Sequence, residues 1–298
     1  CIVRHVFHPG SFRSLPFSNQ QTKLNLDMKT HQFFLSILAI VFVFAACSND
    51  VQNNATNEET QETEQAETVQ KYKLTPFEPS YDFPDAKLES MSYKDGKFTF
   101  TVTGESYKLG AQTPDAPQKM CANSAKGQHI HLIIDNQPYV AKYTNEFEYD
   151  VPDGEHYILA FLSRSYHESI KHNGASIAKK VTVKDGSIVK EEPITEQMIF
   201  YSRPKGKYVG KAETDKVMLD FYLVNVGLSA NGNKVKVNIN GEQEFIVDSW
   251  QPYYIEGLPM GDNKIELTLL DKDGNPVASP LNPVERVFTL VADPAEAQ

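Results

Sequence analysis

Sulfur, tryptophan and positive charge are what this 298-residue chain has least of: three cysteines, one tryptophan, and 29 lysines and arginines against 39 acidic residues, a formal charge of −10. The acidic balance argues against nucleic acid and against a basic membrane-binding patch, since both need clustered positive charge. The chain also lacks a G-x-S-x-G elbow, a Walker loop and an H-E-x-x-H pair. "DKDGNP", from Asp271, is missing the third carboxylate of a calcium loop and reads as a turn. A nucleophile pair of Cys121 with His129 or His131 has no identifiable Asn or Asp to orient it. The chain therefore reads as non-catalytic. No long segment keeps a 3.6-residue apolar period, which excludes a helical architecture.

The one long apolar run, "FFLSILAIVFVFA" from Phe33, is short for a membrane span. It follows "MKTHQ" and ends in small residues, so residues 28–46 read as a secretory signal beginning at Met28, with residues 1–27 as an upstream extension. Phe44-Ala45-Ala46-Cys47 resembles the bacterial lipobox, and the resemblance implies cleavage before Cys47 and lipidation of its thiol. The implied location is the cell envelope, anchored to a membrane by the N-terminal lipid, in the outer membrane of a Gram-negative bacterium. Residues 47–73 carry six acidic side chains up to Glu67 and few larger aliphatics. They read as a disordered tether, since they cannot bury enough surface to fold. From Cys47 onward, 25 basic residues face 38 acidic ones.

Beyond the tether, β-branched and aromatic runs alternate with turn dipeptides. Asp95-Gly96, Asp153-Gly154, Asp185-Gly186 and Asp273-Gly274 are hairpin signals, and the class is all-β. The chain also repeats itself. "KFTFTVTGESYKL" from Lys97 and "KVMLDFYLVNVGL" from Lys216 place apolar residues at matching positions. "GQHIHLIIDN" matches "GNKVKVNING", and "VPDGEHYILAFL" matches "LPMGDNKIELTLL". Two tandem modules, 74–195 and 196–293, fit immunoglobulin-like or fibronectin III-like β-sandwiches, each large enough for its own core.

The repeat serves as an internal control. On a strand, Ile130, Leu132 and Ile134 share one face, and His129, His131 and Ile133 the other. The second module keeps its apolar face in Val235, Val237 and Ile239 and has Lys234 and Lys236 where the histidines stand. The histidines thus point away from their own sandwich core, onto either a ligand site or a solvated polar face. All five histidines after Cys47 (His129, His131, His156, His167, His172) lie in the first module; His156 shares parity with core positions and reads as structural. The first module also carries 14 additional residues in the loop "GAQTPDAPQKMCANSAK", which holds Met120 and Cys121 and runs into the histidine strand. Sulfur and imidazole together suit copper(I) or zinc. The candidate ligands are His129, His131, Cys121, Met120, His167 and His172, provided that the 110–126 and 163–176 loops lie on one side of the sheet.

"GQHIHLIIDN" followed by "VPDGEHYILAFLSRSYHESIKHNGAS" is similar to a family of short, histidine-rich bacterial envelope domains of unknown function. The match covers about 60 residues. It departs at Gln128, where that family extends the histidine cluster. The whole mature chain, including "MIFYSRPKGKYVG", resembles lipoproteins of flavobacterium-type organisms catalogued as phosphopeptide-binding. That resemblance implies a phosphate site, with Arg203, Lys205 and Lys207, or Arg164 with Lys171, as its candidates. Trp250, with Tyr253 and Tyr254, offers either a glycan or protein platform or core-edge packing. The expectation is a non-catalytic, lipid-anchored binding protein whose first module takes a metal. The alternative is recognition of a protein, phosphopeptide or glycan.

Overall fold

Hairpin turns at Asp95-Gly96 and Asp185-Gly186 have both residues at positive φ, as a two-residue turn matched to strand twist requires. Asn240-Gly241 does the same in the second module. Asp153-Gly154, by contrast, leads into a strand of another sheet and turns no hairpin. The computed structural model describes residues 70–297, so the expected signal peptide, Cys47 and nearly all of the tether lie outside the described residues. In chain order the strands are β1 (Lys73–Pro76), β2 (Lys87–Lys94), β3 (Lys97–Thr103), β4 (His129–Ile134), β5 (Val140–Lys142), β6 (Glu146–Glu148), β7 (Gly154–Ser163), β8 (Ser176–Lys184) and β9 (Ser187–Pro193). They continue as β10 (Met198–Arg203), β11 (Gly206–Val209), β12 (Val217–Val224), β13 (Lys234–Ile239), β14 (Gln243–Val247), β15 (Tyr253–Glu256), β16 (Gly261–Leu270) and β17 (Val284–Val291). Among the described residues no helix is long and apolar enough to cross a membrane.

The strands form two tandem β-sandwiches of largely matching topology, except that the edge strand β9 pairs antiparallel with β8 whereas β11, in the same place in the second module, pairs parallel with β17. In the first, β2-β3-β6 faces β5-β4-β7-β8-β9; in the second, β10-β12-β15-β1 faces β14-β13-β16-β17-β11. The sequence repeat is thus a repeat of strand order, with β3, β4 and β7 corresponding to β12, β13 and β16. Each sandwich encloses its own core. Phe98, Phe100, Ile130, Leu132 and Leu162 are in the first, and Tyr201, Phe221, Val235, Val237 and Leu267 are in the second. β1 departs from the expected modular order. It precedes the first module in sequence but pairs antiparallel with β15, and Tyr72 beside it is buried in the second core.

The two sandwiches pack against each other. β10 is buried along its whole length and β12 nearly so, because one face fills the second core and the other meets the first module. Met198, Phe200 and Tyr222 pack there against Ile133, Tyr139, Leu159 and Phe161, with Trp250 at the margin. Polar ties fix the docking. Asn136 donates to Ile199 O at 2.8 Å and accepts from Tyr201 N at 2.8 Å. Asp220, wholly buried on β12, accepts from Ser169 N at 3.1 Å and from Lys171 Nζ at 2.5 Å.

Candidate metal centre

β4 lies between β5 and β7, and its Ile130 and Leu132 fill the first core as the alternation requires. His129 and His131 take the opposite face, but that face is not solvated: Tyr139 and Tyr143 lie over the rings, the second module packs on the same face at Ile133, and both histidines are wholly buried. Tyr139 stacks on the His131 ring at 3.6 Å between centroids, and Phe161 meets it edge-on at 5.0 Å. The third histidine comes from the turn after β7, where His167 N donates to Arg164 O at 2.9 Å. His167 adopts φ 70, a left-handed conformation that costs a non-glycine residue free energy and recurs at functional sites. The 110–126 and 163–176 loops do lie together, with Ser124 N donating to Ser165 O at 2.8 Å.

Three ring nitrogens converge. His129 Nε2 lies 2.8 Å from His131 Nε2 and 3.0 Å from His167 Nδ1, and the last two are 3.5 Å apart. A point equidistant from such corners is about 1.8 Å from each. That is close to the ~2.0–2.1 Å of a zinc–imidazole bond, and three such nitrogens could hold an ion with a fourth position left open. The histidine triad is the one set of three or more His, Cys, Asp or Glu donors that comes together in this way among the described residues.

Protonation fits the arrangement. The Gly127 carbonyl, 2.8 Å from His129 Nδ1, can only accept, so Nδ1 carries the proton and Nε2 of the neutral ring presents a lone pair. Gly127 needs its missing side chain: at φ 83, a Cβ would collide with the Gly110 and Ala111 carbonyls. Burial pulls His129 down to about 4. Burial also holds His131 well below the ordinary histidine range, helped by the neighbouring rings. His167 falls well below it for the same first reason, then through the charge of Arg203. All three rings are therefore held neutral at neutral pH, the form in which imidazole can ligate an ion. One lone pair on His129 cannot accept well from two rings at once, whereas an ion would satisfy all three nitrogens. Ser202 Oγ, 3.5 Å from His131 Nδ1, brings the second module to the outer side of the site.

The remaining predicted ligands lie elsewhere. Cys121 packs with Phe77, Tyr166, Met218 and Tyr254 in a separate apolar cluster, and burial pushes its thiol up to about 12. Met120 is exposed on the surface. His172 Nε2 lies 2.8 Å from Phe83 O, pinning a loop. His156 sits between Asp135 Oδ2 at 2.6 Å and Pro152 O at 2.8 Å, a structural setting as expected. The 110–126 loop is a wedge rather than a ligand loop: Lys119 Nζ donates to Pro79 O at 2.9 Å, and Cys121 and Ala116 are packed against the second module's Met218 and Tyr254.

The phosphate and partner candidates divide. Arg164 is buried, donating to Tyr81 O at 2.7 Å and pairing with Glu168 at 3.4 Å, so it is not free for a phosphate. Trp250 is no exposed platform: its indole N–H donates to Phe221 O at 3.0 Å and its ring meets Tyr222 edge-on at 5.0 Å. Lys207 is exposed on β11. Arg203 and Lys205 follow Ser202, whose Oγ is 3.5 Å from His131 Nδ1. Lys205 Nζ sits 4.2 Å over the Tyr139 ring, whose hydroxyl is 3.3 Å from His167 Nδ1.

No protein-family model and no curated protein matches the chain. Among solved structures, fibronectin(III)-like modules of Clostridium thermocellum CbhA are similar at 12% identity, with a TM-score of 0.26 over 74% of this chain and 95% of that one. The Bacteroides ovatus mixed-linkage glucan utilization locus protein SGBP-B, solved with a mixed-linkage heptasaccharide, is similar at 11% identity, with a TM-score of 0.19 over 74% of this chain and 71% of that one. At these scores neither likeness bears on function.

Proposed function

We propose that this is a non-catalytic, lipid-anchored binding protein of a bacterial cell envelope whose first module holds a divalent late first-row ion, zinc or copper(II), on His129, His131 and His167. The observation that carries this reading is the convergence of three neutral imidazole nitrogens within 3.5 Å of one another. An all-imidazole donor set suits zinc, copper and nickel, and the sulfur that favoured copper(I) is not part of it. The envelope location rests on the signal, the lipobox-like Cys47 and the resemblance to flavobacterium-type lipoproteins. Calorimetric titration of the full chain with zinc and with copper(II) tests the metal. Wild type is expected to bind one ion per chain. His167→Ala, at the partly exposed corner, should weaken binding by more than the ~10–100-fold that loss of an outer-shell partner costs. Equal affinities in wild type, His167→Ala and a His129→Gln variant would refute the site.

A further inference from the structure

Arg203 owes its position to an irregularity in β10. Tyr201 pairs with Phe221 and Arg203 with Asp220, so Ser202 is an extra residue without a partner on β12. Such a bulge breaks the alternation of faces. Tyr201 points into the second core, while Ser202 and Arg203 turn to the side of Asp220, which faces the first module; Ser202 there reaches His131. A strand without the bulge would return Arg203 to the core.

The guanidinium carried there has no counter-charge. Its side chain is 6% exposed and its Nε finds no acceptor among the described residues. The nearby acids are committed elsewhere: Asp220 to Lys171, Glu168 to Arg164 and Asp115 to Lys119. A guanidinium cannot shed its proton, so a buried one without a counter-charge stays charged at a cost, which the Tyr208 ring 5.2 Å away offsets only in part. Lys205 adds a second cation over Tyr139, the ring stacked on His131. Burial, then Arg203 and Arg286, lower the affinity of its amine for a proton. A divalent ion on the triad would add more positive charge to a corner that already has an excess of it.

We propose that Arg203 and Lys205 make this corner a binding site for a small monovalent anion of the size of chloride or azide, which also takes the fourth position on the ion when the triad is loaded. The second clause rests on the proposed metal site; the first does not. Burial of His129, His131 and Tyr139 restricts the anion to a few atoms. The arrangement has opposite consequences for its two ligands. The cations oppose a bare metal ion and favour an anion, so removing Arg203 should strengthen one and weaken the other.

The test uses the full chain as wild type, Arg203→Gln and Arg203→Lys. With metal removed by chelator, thermal unfolding is compared in chloride, in azide and in bulky gluconate at matched ionic strength. The wild-type midpoint is expected to rise by about 3 °C or more in the small anions. Arg203→Gln should lose that rise while remaining at least as stable as wild type in gluconate, and Arg203→Lys should keep part of it. With copper(II) loaded, azide titration followed by its charge-transfer band should show about tenfold weaker azide binding in Arg203→Gln. An Arg203→Gln protein that fails to fold, or that matches wild type in both arms, overturns the proposal. Anion-specific stabilisation without copper uptake would leave the anion site standing and remove the metal reading. Copper uptake with no effect of Arg203 would do the reverse.

Discussion

At His129 the state of one proton governs both ligand capacity and stability. Burial holds its folded value at about 4, while the unfolded ring titrates near the free-histidine value of about 6.5. Between those values the unfolded chain binds more protons than the folded one, so stability rises with pH. The contribution is complete above about pH 6.5 and is lost as pH falls towards 4. At about 1.4 kcal/mol per pKa unit, this residue alone accounts for about 3 kcal/mol. Urea unfolding of metal-free protein at pH 7 and pH 4.5 should show a steeper loss for wild type than for His129→Gln, which cannot titrate; parallel losses would contradict the burial argument. Period-two alternation in "HIHLII" is enough to place His129 and His131 on one face away from their own core, and the structure agrees. It cannot place His167, because a left-handed turn residue 36 positions beyond His131 carries no periodic signal. Cys121 and Met120 looked equally suited by residue type, but a loop without periodicity gives no direction for its side chains.

Among the elements, β1 shows what local pattern can and cannot convey. The repeat was legible because corresponding strands keep both length and parity, as β4 and β13 do across the two modules. "KLTP" has no partner in that repeat, and four residues are too few to announce which sheet they join. The structure places them on β15, with Tyr72 in the second core and Phe77 beside Cys121 and Tyr254. Truncating Tyr72 to alanine should therefore destabilise the second module, by the ~3–5 kcal/mol typical of removing a buried aromatic side chain. Denaturant unfolding followed by the fluorescence of Trp250 reports on that module. A loss under about 1 kcal/mol would mean that β1 is only a loosely held edge. The wedge loop 110–126 belongs at this scale too: its length marked it as special, but its contacts are those of packing.

Across the whole molecule, the second module adjoins a site whose three candidate ligands all come from the first. It supplies the Ser202 hydroxyl behind His131 and the cation Arg203, and closes a face that Tyr139 and Tyr143 of the first module also cover. The sequence does signal this docking indirectly. "MIFY" in β10 and "FYLV" in β12 are continuous apolar runs, the mark of strands buried on both faces, while β13, buried on one face only, alternates as "KVKVNI". Which two faces meet depends on side chains far apart in the chain, such as Asn136 with Tyr201 and Asp220 with Ser169, and no short-range pattern encodes those pairs. In the proposed site three imidazoles at this junction, and no sulfur, hold one metal ion. X-ray absorption at the metal edge of the zinc-loaded full chain measures that ligand set directly. In chloride-free buffer the proposed site gives three imidazole nitrogens at ~2.0–2.1 Å with one further oxygen or nitrogen ligand. A sulfur at ~2.3 Å, or fewer than three imidazoles, would contradict it.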